Sequence, residues 1–486
     1  MDLIIILLAL GLLMFLAYRG FSVIIIAPIC ALLAVFLTDP SHVLPFFSNI
    51  FMEKMVGFIK SYFPVFLLGA IFGKVIEMSG IAARIAKVII RFIGVRQAIF
   101  TVVLMGVILT YSGVSLFVAV FAIYPFANHL FREANIPKRL IPATIAFSAF
   151  TFSMDAIPGS PQIQNVIPTG FFKTTVYAAP MLGGIGALFI FVVGMLYLES
   201  RRRKAAKNGE GYYGIGKNAI SDSPAASEMA ATSDAIATPS SMLNTKIDVK
   251  DWLAFVPLLL VGVMNKLFTT YIPEWYANGF DFAKINDNLA NYGTVNMDQQ
   301  VALWSVELAL LIGIFAAIAL NFDTVKVSFK DSLSVGISGA LLATMNTASE
   351  FGFGGIIAAL PGFAVVQNFL STTFTHPLVN GAVLTNALAG ITGSGSGGLS
   401  FSLGIMADKY VEAANAAGIP LEVMHRVIAM AAGGMDTLPH NGAVLTLLMV
   451  CGLTHRQAYK DIFAITIIKT VACFFVIGVY LLTGLV

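Results

Sequence analysis

Long apolar blocks constrain this chain more than any other feature of its sequence. A helix needs roughly 20 apolar residues to cross the hydrocarbon core of a bilayer, and about ten segments of the chain meet that length. They are 2–18, 20–38, 62–80, 140–168, 174–199, 252–268, 300–321, 333–350, 421–452 and 461–484. Because lipid cannot hydrogen-bond to the backbone, we expect each block to be helical or sheltered by other helices. The sequence therefore predicts an all-α polytopic membrane protein.

The composition excludes an ordinary cytosolic enzyme. Charged residues make up 11% of the chain and apolar residues 58%, whereas a soluble domain carries about 25% charged residues. The three cysteines, Cys30, Cys451 and Cys473, all lie inside apolar blocks, which favours small buried side chains over disulfides or a metal site. The N-terminal run begins with Asp2 and lacks the basic region of a secretory signal, so we interpret it as the first span.

One polar segment interrupts the apolar pattern. Residues 203–248 are charged at first and then rich in Ala, Ser, Thr, Asp and Pro, a composition that cannot bury enough apolar area to fold. We expect a disordered linker between a first half, 1–202, and a second half, 249–486. Four basic residues, 201–204, directly follow a span. The excess of Lys and Arg in cytoplasmic loops therefore places this linker in the cytoplasm.

The two halves repeat three local patterns in the same order. Met154–Pro158 (MDAIP) in the first half corresponds to Met435–Pro439 (MDTLP) in the second, and an Ile-Pro pair stands upstream of each. Further upstream, a Ser/Gly break interrupts an apolar run, at Tyr111–Ser115 and at Gly393–Gly398. Three matches in register indicate a duplication.

The charges around these patterns predict that the halves have opposite orientations. Arg84, Lys87, Arg91 and Arg96 precede the first Ser/Gly break, whereas the corresponding segment 351–370 contains no Lys or Arg. The same structural position is then cytoplasmic in one half and external in the other. This arrangement is typical of an inverted-topology repeat.

The number of spans agrees with this topology if each Ser/Gly break is the tip of a re-entrant hairpin. The two hairpins would cover about 98–129 and about 374–407. Each half then has about five spans, one of which is a broken helix, at 138–168 and at 421–452. We interpret 42–60 as an amphipathic surface helix; if it spans instead, the N-terminus moves to the inside.

We expect the substrate to bind at four breaks, namely the two Ser/Gly breaks at the hairpin tips and the interruptions of the two broken helices. In inverted-repeat transporters the site lies near the bilayer midplane, where half-helix ends and freed backbone groups face the ligand. N-terminal half-helix ends offer N–H donors and a positive dipole to a carboxylate, while carbonyls and hydroxyls suit a small cation. The residues predicted to bind substrate are Ser112, Gly113, Ser115, Ser160, Gln162, Asn165, Ser394, Gly395, Ser396, His440 and Asn441.

Asp155, Asp436 and Glu350 are the candidates for ion or proton coupling. A carboxylate at membrane depth is costly and by default marks an ion or proton path. The alternative is that each Asp caps the half-helix after its break, and capping of a connecting helix is the interpretation we favour for Glu350. Gln162 and Asn165 either bind substrate hydroxyls or close backbone gaps. His440 either acts on a proton or a carboxylate, or is a satisfied structural side chain.

The sequence gives no support for catalysis. Gly393, Gly395 and Gly398 match the letters of a dinucleotide-binding G-x-G-x-x-G, but that motif requires a βαβ unit, and here both flanks are membrane helices. We find no H-E-x-x-H, no Walker A lysine motif and no Cys/His metal spacing. We therefore predict a protein that is not an enzyme and that has no catalytic residue, no metal and no cofactor beyond a coupling H⁺ or Na⁺.

Three segments of the second half resemble the gluconate:proton symporter (GntP) family of the ion transporter superfamily. They are Ala348–Phe363 (ASEFGFGGIIAALPGF), Ile391–Ser400 (ITGSGSGGLS) and Met435–Leu448 (MDTLPHNGAVLTLL), and the overall pattern covers nearly the whole chain apart from the linker. The resemblance implies a homodimer in the bacterial inner membrane, with elevator-type alternating access and proton-coupled uptake of sugar acids or short hydroxy acids. It also implies ion and substrate sites at the two tips and at the breaks 155–162 and 436–441.

The first break departs from the family pattern. It contains MDAIPGSP at 154–161, unlike the His/Pro-rich segment of gluconate carriers. The chain therefore resembles more closely the branch of the family that is linked to 3-hydroxybutyrate-like monocarboxylates.

The leading hypothesis is a cation-coupled symporter, with H⁺ favoured, for a small gluconate-like or 3-hydroxybutyrate-like anion. A sodium-coupled di- or tricarboxylate carrier of the same architecture is the alternative; it is weakened by the absence of Arg from all four breaks, because bidentate Arg clamps commonly hold such anions. A channel would need a continuous polar pore, and a membrane-embedded enzyme a nucleophile–base or metal site. The partners we expect are a small organic anion, lipid and a second copy of the chain, with no nucleic acid.

Overall fold

The chain folds into helices that follow the apolar blocks. The computed structural model describes all residues except 1, 20, 95, 96, 115, 215–246, 278, 296 and 440. The helices are α1 (Asp2–Tyr18), α2 (Val23–Thr38), α3 (Pro40–Met78), α4 (Ile81–Ile93), α5 (Ala98–Tyr111), α6 (Leu116–Glu133), α7 (Ile141–Ala149), α8 (Phe152–Asp155), α9 (Ile163–Phe172), α10 (Pro180–Lys207), α11 (Val249–Leu253), α12 (Val256–Trp275), α13 (Met297–Leu320), α14 (Phe322–Ala359), α15 (Gly362–Thr373), α16 (Pro377–Thr392), α17 (Gly395–Ala416), α18 (Leu421–Gly433), α19 (Gly442–Cys451) and α20 (His455–Thr483).

Short irregular elements join some of these helices. A two-stranded antiparallel hairpin, β1 (Phe280–Asp281) and β2 (Thr294–Val295), lies between α12 and α13. Two 3₁₀ turns, Phe282–Lys284 and Asp287–Tyr292, connect the strands. Further 3₁₀ turns occur at Lys138–Leu140, before the broken helix of the first half, and at Gly434–Thr437, within the break of the second. The last of these turns carries Asp436.

The helices have the length and surface of membrane spans. Among the described residues, five helical segments are long and apolar enough to cross a bilayer: Pro40–Met78, Pro180–Lys207, Val249–Trp275, Gln300–Leu320 and His455–Thr483. Large apolar side chains are exposed on the outer faces, among them Leu8, Phe36, Leu188, Phe315 and Phe463. Such a surface is unfavourable in water and expected in lipid. The predicted all-α, multi-pass membrane protein is confirmed at this level.

The two halves have the same order of elements. Apart from the short α11 at the start of the second half, each begins with two helices (α1 and α2; α12 and α13), followed by a long helix (α3; α14) and a short one (α4; α15). A pair of helices joined by a tight turn comes next (α5 and α6; α16 and α17), then a helix interrupted near its middle, and then a final long helix (α10; α20). This is the order expected of a duplicated chain.

The helices pack as two groups. We call α1–α3 and α12–α14 the long-helix group, because α3 and α14 lie along each other and α12 packs on α13. At Gly352 of α14 an added Cβ would lie 2.9 Å from the carbonyl oxygen of Phe51, so the small residue permits this close approach. We call α5–α10 and α16–α20 the broken-helix group. The groups meet where α14 packs on α17 and α13 on α9.

Two boundaries differ from the sequence predictions. The prediction of a separate surface helix at 42–60 is wrong, because these residues form the first part of α3, which continues to Met78. A single π turn at Phe47–Phe51 keeps that helix unbroken. The expected linker is ordered at its start, since α10 runs to Lys207 and the Tyr212 carbonyl accepts a 3.0 Å hydrogen bond from the Lys138 N–H. Residues 215–246 of the expected linker lie outside the described residues.

Candidate functional site

The turn of the second hairpin lies within the predicted Ser/Gly break. Gly393 ends α16 with a φ of +69°, a left-handed conformation that favours glycine. Ser394 then caps α17, and its Oγ accepts a 3.0 Å hydrogen bond from the Gly397 N–H. Ser396 Oγ lies 3.4 Å from both Ser394 Oγ and Thr347 Oγ1. The first turn of α17 is thus fixed from both sides by short hydroxyl side chains.

Asp436 lies against this first turn. Its Oδ1 accepts a 2.8 Å hydrogen bond from the Gly395 N–H, and its Oδ2 accepts a 3.0 Å hydrogen bond from Gln164 Nε2. Asn441 Nδ2 lies 3.4 Å from Oδ1, while Asn441 Oδ1 caps α19 by accepting from the Ala443 N–H. A Cβ at position 395 would collide with the carboxylate. The second break, the second tip and the first-break helix α9 therefore meet at one buried carboxylate.

Glu350 reaches the same turn from the long-helix group. It lies nine residues before the end of α14 at Ala359, so it does not cap that helix, contrary to the interpretation we favoured. Its side chain is buried and rests against Gly397, where a Cβ would collide with the carboxylate. Glu350 Oε2 has no hydrogen-bond partner within the described part of the chain. Two carboxylates, Asp436 and Glu350, thus flank the N-terminal end of α17, where the helix dipole favours negative charge.

Asp155 forms a buried ion pair in the first break. It is the last residue of the short helix α8 and is fully buried. Its Oδ2 accepts a hydrogen bond from Nζ of Lys469, a fully buried residue of α20. Asp155 Oδ1 has no partner among the residues that the structure describes. Gly433, at the end of α18, packs so closely on this pair that a Cβ would overlap the carboxylate.

Arg426 of α18 fastens the second half to the first break. Its guanidinium donates to Asp155 O, to Val176 O, to Ala178 O twice, and to Asn165 Oδ1. These contacts use all five N–H donors of the side chain. Arg426 is consequently committed to backbone and amide oxygens and has no donor left to clamp a carboxylate.

Gln162 closes the tip of the first hairpin. Its Nε2 donates to the carbonyl oxygens of Thr110 at 2.6 Å and Val114 at 3.0 Å. Gly113 packs against Pro161 of the first break, and Ser112 Oγ donates back to the Ile108 carbonyl at 2.6 Å. Of the two interpretations left open for Gln162, these contacts favour the closing of a backbone gap.

Asn165 and Ser160 are also bonded to the protein itself. Asn165 Nδ2 donates to the carbonyls of Ser160 and Val176, both at 2.8 Å, and its Oδ1 accepts from Arg426 and lies 3.3 Å from His425 Nε2. Ser160 Oγ donates to the Ser153 carbonyl at 2.8 Å. Ser115 and His440, the remaining predicted side chains, lie outside the described residues.

The structure brings both tips and both breaks into one chain of contacts. Gln162 at the N-cap of α9 holds the first tip, and Gln164, two residues on, contacts Asp436, which in turn holds Gly395 of the second tip. Gln164 is buried, and its Oε1 has no partner in the described residues. Gln164, Arg426 and Lys469 were not predicted, because nothing in the local sequence shows that these side chains reach the breaks. A survey of every charge inside the apolar blocks finds Arg426 and Lys469.

The buried cluster contains more acids than bases. Asp155, Glu350 and Asp436 are three carboxylates, and Lys469 and Arg426 are two cations, all of them buried. Fully ionised, the five groups sum to one negative charge. Uncompensated charge is unfavourable at low dielectric, so a proton or a small cation would be stabilised here.

Comparison with known proteins gives a family match. The sequence model of the GntP family permeases matches residues 1–210. A protein of Bacillus subtilis (strain 168), described as the uncharacterized transporter YxjC, is 64% identical over 487 residues, which cover 100% of both chains. A crystal structure of the Alcanivorax borkumensis YdaH transporter, described as having an unusual topology, is 14% identical, with a TM-score of 0.46 over 91% of this chain and 90% of that one.

Proposed function

Because the chain belongs to the GntP family of permeases, we propose that it is a symporter that carries a small hydroxycarboxylate together with a cation, preferentially H⁺. The observation that carries this proposal is the buried excess of carboxylates at the junction of the two tips and two breaks. A proton or cation that enters the cluster reduces its negative charge. An anion can then enter at lower cost, so that each ligand raises the affinity of the other.

The groups around Asp436 suit an anion that carries a hydroxyl. The helices α9, α17 and α19 all begin at this junction, and their N-terminal ends favour a carboxylate. Gln164 Oε1 is a buried acceptor without a partner in the described chain, and a substrate hydroxyl can donate to it. Ser394, Ser396 and Asn441 supply further short polar groups at the same place.

A single carboxylate fits this site better than several. Arg426 has no free N–H donor, and Lys469 is the remaining cation of the cluster. A di- or tricarboxylate would bring more negative charge than one ammonium group can compensate. The sodium-coupled di- or tricarboxylate carrier is therefore the second candidate, to be separated by experiment.

The packing supports an elevator-type transport cycle. The broken-helix group, which contains Asp155, Asp436 and Lys469, would move as a unit across the long-helix group, which would hold Glu350 and the contact of a homodimer. Two inverted repeats, at 1–202 and 249–486, would present one re-entrant hairpin to each face of the bacterial inner membrane. The polar segment between the halves would then lie in the cytoplasm, as the basic residues 201–204 indicate.

Uptake by proteoliposomes tests this proposal. Labelled 3-hydroxybutyrate is offered under an inward proton gradient and, separately, under a sodium gradient, with gluconate, lactate, citrate and succinate as competitors. We expect uptake that needs the proton gradient and that only the hydroxymonocarboxylates block. Uptake that needs sodium and is blocked by citrate or succinate would contradict the proposal and support the second candidate.

Two Glu substitutions test whether the coupled uptake depends on the buried cluster. Glu350→Gln removes a buried carboxylate at the second tip, and we expect it to reduce the coupled uptake. Glu77→Gln removes an exposed carboxylate at the end of α3, the counterpart of α14 in the first half, where Lys74 pairs with it at 2.9 Å. This control should transport like the unmodified protein.

A further inference from the structure

The Lys469–Asp155 ion pair differs from an ordinary structural salt bridge. Both side chains are fully buried, yet Asp155 Oδ1 has no partner among the described residues. The Lys469 ammonium has three N–H donors, and within the same part of the chain it makes one hydrogen bond, to Asp155. A buried pair that serves only stability needs its remaining donors and acceptors satisfied, because each unsatisfied group costs free energy.

Arg426 shows by contrast what a structural cation looks like in the same cluster. All five of its N–H donors are bonded to fixed oxygens. Lys469 instead ends a flexible four-carbon chain and can exchange one oxygen partner for another. Among the three carboxylates of the cluster, Asp155 is the one whose side chain pairs with a cation in the described part of the chain. Neutralisation of Asp155 therefore releases a positive charge, whereas neutralisation of Glu350 or Asp436 does not.

The pair lies between the two breaks. A Cβ at Gly433 would lie 2.7 Å from Lys469 Nζ and would overlap Asp155 Oδ2. Gly433 directly precedes the 3₁₀ turn that carries Asp436, which binds Gln164 and the first turn of α17. Gly433, which contacts the Lys469 ammonium, thus lies three residues before Asp436, around which the groups that suit the substrate are arranged.

We propose that Lys469 binds the substrate carboxylate and that ionised Asp155 stays paired with Lys469 until Asp155 accepts the coupling proton. This inference rests on the proposed function and extends it to the residues that couple proton and anion. In the empty site, ionised Asp155 pairs with Lys469. When Asp155 accepts a proton from the water outside, Lys469 is released and pairs with the carboxylate of the substrate. On the other side the substrate leaves, Asp155 gives its proton to water, and the original pair forms again.

The charge balance of this exchange is fixed. The empty pair carries one negative and one positive charge, and the loaded site carries the same, with the substrate carboxylate in place of the Asp155 carboxylate. One proton accompanies each carboxylate group. The site therefore crosses the membrane with the same net charge in both directions, which avoids an additional charge at low dielectric.

The groups that face Asp155 are few. Lys469 of α20 bonds to it, and Arg426 of α18 contacts its main-chain oxygen. The Cys473 thiol lies one turn further along α20 and bonds to the Val427 carbonyl. Besides Arg426, α18 carries Glu422 and the buried His425, which contacts Asn165 and Thr174. Asp436 lies on the adjoining 3₁₀ turn. The helices α5, α7 and α9 contain no Asp, Glu, Lys, Arg or His, although Tyr111 ends α5 and bonds to the Pro158 carbonyl; α10 has its first charged residue at Glu199.

Counterflow in proteoliposomes, which measures exchange without any ion gradient, tests this proposal. Proteoliposomes that contain the full chain are loaded with unlabelled anion and supplied with labelled 3-hydroxybutyrate, gluconate or lactate, at pH values from 5.5 to 8. Exchange by the unmodified protein should decline as the pH rises, because Asp155 must be protonated for Lys469 to be free. Asp155→Asn should retain exchange, lose its pH dependence, and fail to accumulate anion under a proton gradient. Lys469→Gln should lose about 10- to 100-fold in apparent affinity, the effect expected from removing one charge-assisted hydrogen bond. At an anion concentration near the KM of the unmodified protein, this variant should therefore fail to exchange.

The double variant Asp155→Asn/Lys469→Gln separates this role from a purely structural one. Neither side chain is then charged, so the protein should fold, with a thermal unfolding temperature near that of the unmodified protein, and still fail to exchange. Recovery of exchange in the double variant would overturn the proposal and assign the pair to stability. Unchanged pH dependence in Asp155→Asn would overturn it as well.

Two further results complete the test. Lys74→Gln, in the exposed pair with Glu77, should behave like the unmodified protein. If the unmodified protein carries none of the three anions, the proposed function fails and this inference fails with it. If it carries one of them and the double variant does too, only this inference fails.

Discussion

Glycine at position 395 is the residue-scale feature on which the site depends most. Its N–H donates to Asp436, and its missing side chain leaves room for that carboxylate. We expect Gly395→Ala to displace Asp436, to destabilise the protein by about 1–3 kcal/mol, and to abolish uptake.

Gly442→Ala is the matched control, because Gly442 also begins a helix at this junction and an added Cβ there meets nothing within 4 Å. Thermal unfolding and uptake are measured for both variants. Equal loss of uptake in the two would show that the alanine effect is unrelated to Asp436.

At this scale the sequence predicted the carboxylates of the buried cluster but not its two cations. Asp155 and Asp436 were singled out because charges inside a break are conspicuous, and both lie in the buried cluster. Their roles were not separable from sequence, since pairing with Lys469 or with Gly395 depends on how distant segments pack. Arg426 lies ten residues before Asp436 on a regular helix, and nothing local indicates that it reaches the first break.

At the scale of elements, two glutamines at the start of α9 have different roles, one structural and one in binding. Gln162 closes the first tip, whereas Gln164 contacts Asp436 and retains an unpartnered buried oxygen in the described chain. We expect Gln162→Ala to lower the thermal unfolding temperature, because it removes the two hydrogen bonds that join the first break to the carbonyls of Thr110 and Val114. Gln164→Ala should lower apparent substrate affinity with little change in that temperature.

Each of the two variants is the control for the other, since they lie two residues apart on the same helix. Unfolding temperature and the concentration dependence of uptake are recorded for both. A fall in unfolding temperature confined to Gln164→Ala, with unchanged affinity, would reverse the two roles.

The elements themselves were predictable because apolar blocks and Pro/Gly/Ser interruptions are local signals. The turns between α5 and α6 and between α16 and α17 lie in the predicted breaks, and both helical interruptions lie within 138–168 and 421–452. The prediction of a separate surface helix at 42–60 was wrong because the helix does not end there. The charged residues of the segment, Glu53, Lys54 and Lys60, lie within α3, which continues to Met78.

At the scale of the whole molecule, the proposal requires the broken-helix group to move against the long-helix group. Phe353 of α14 and Phe401 of α17 face each other across that boundary, with ring centroids 5.4 Å apart. We expect a disulfide between Phe353→Cys and Phe401→Cys, in a background in which the native cysteines are replaced, to stop uptake until it is reduced.

A disulfide between Thr385→Cys and Ser402→Cys is the control. The two hydroxyls lie 2.8 Å apart, and both residues belong to the second hairpin, so this bond joins parts that move together. Uptake should continue with this bond in place. Uptake that continues with both bonds would show that the two groups do not need to move past each other.

The proposed coupling is tested most directly by the simultaneous recording of internal pH and labelled anion uptake in proteoliposomes whose membrane potential is clamped. We expect one proton for each monocarboxylate and a rate of uptake that does not change with the potential, because a carboxylate of the substrate replaces that of Asp155 beside Lys469. Anion uptake without internal acidification, or uptake that a sodium gradient alone drives, would contradict it.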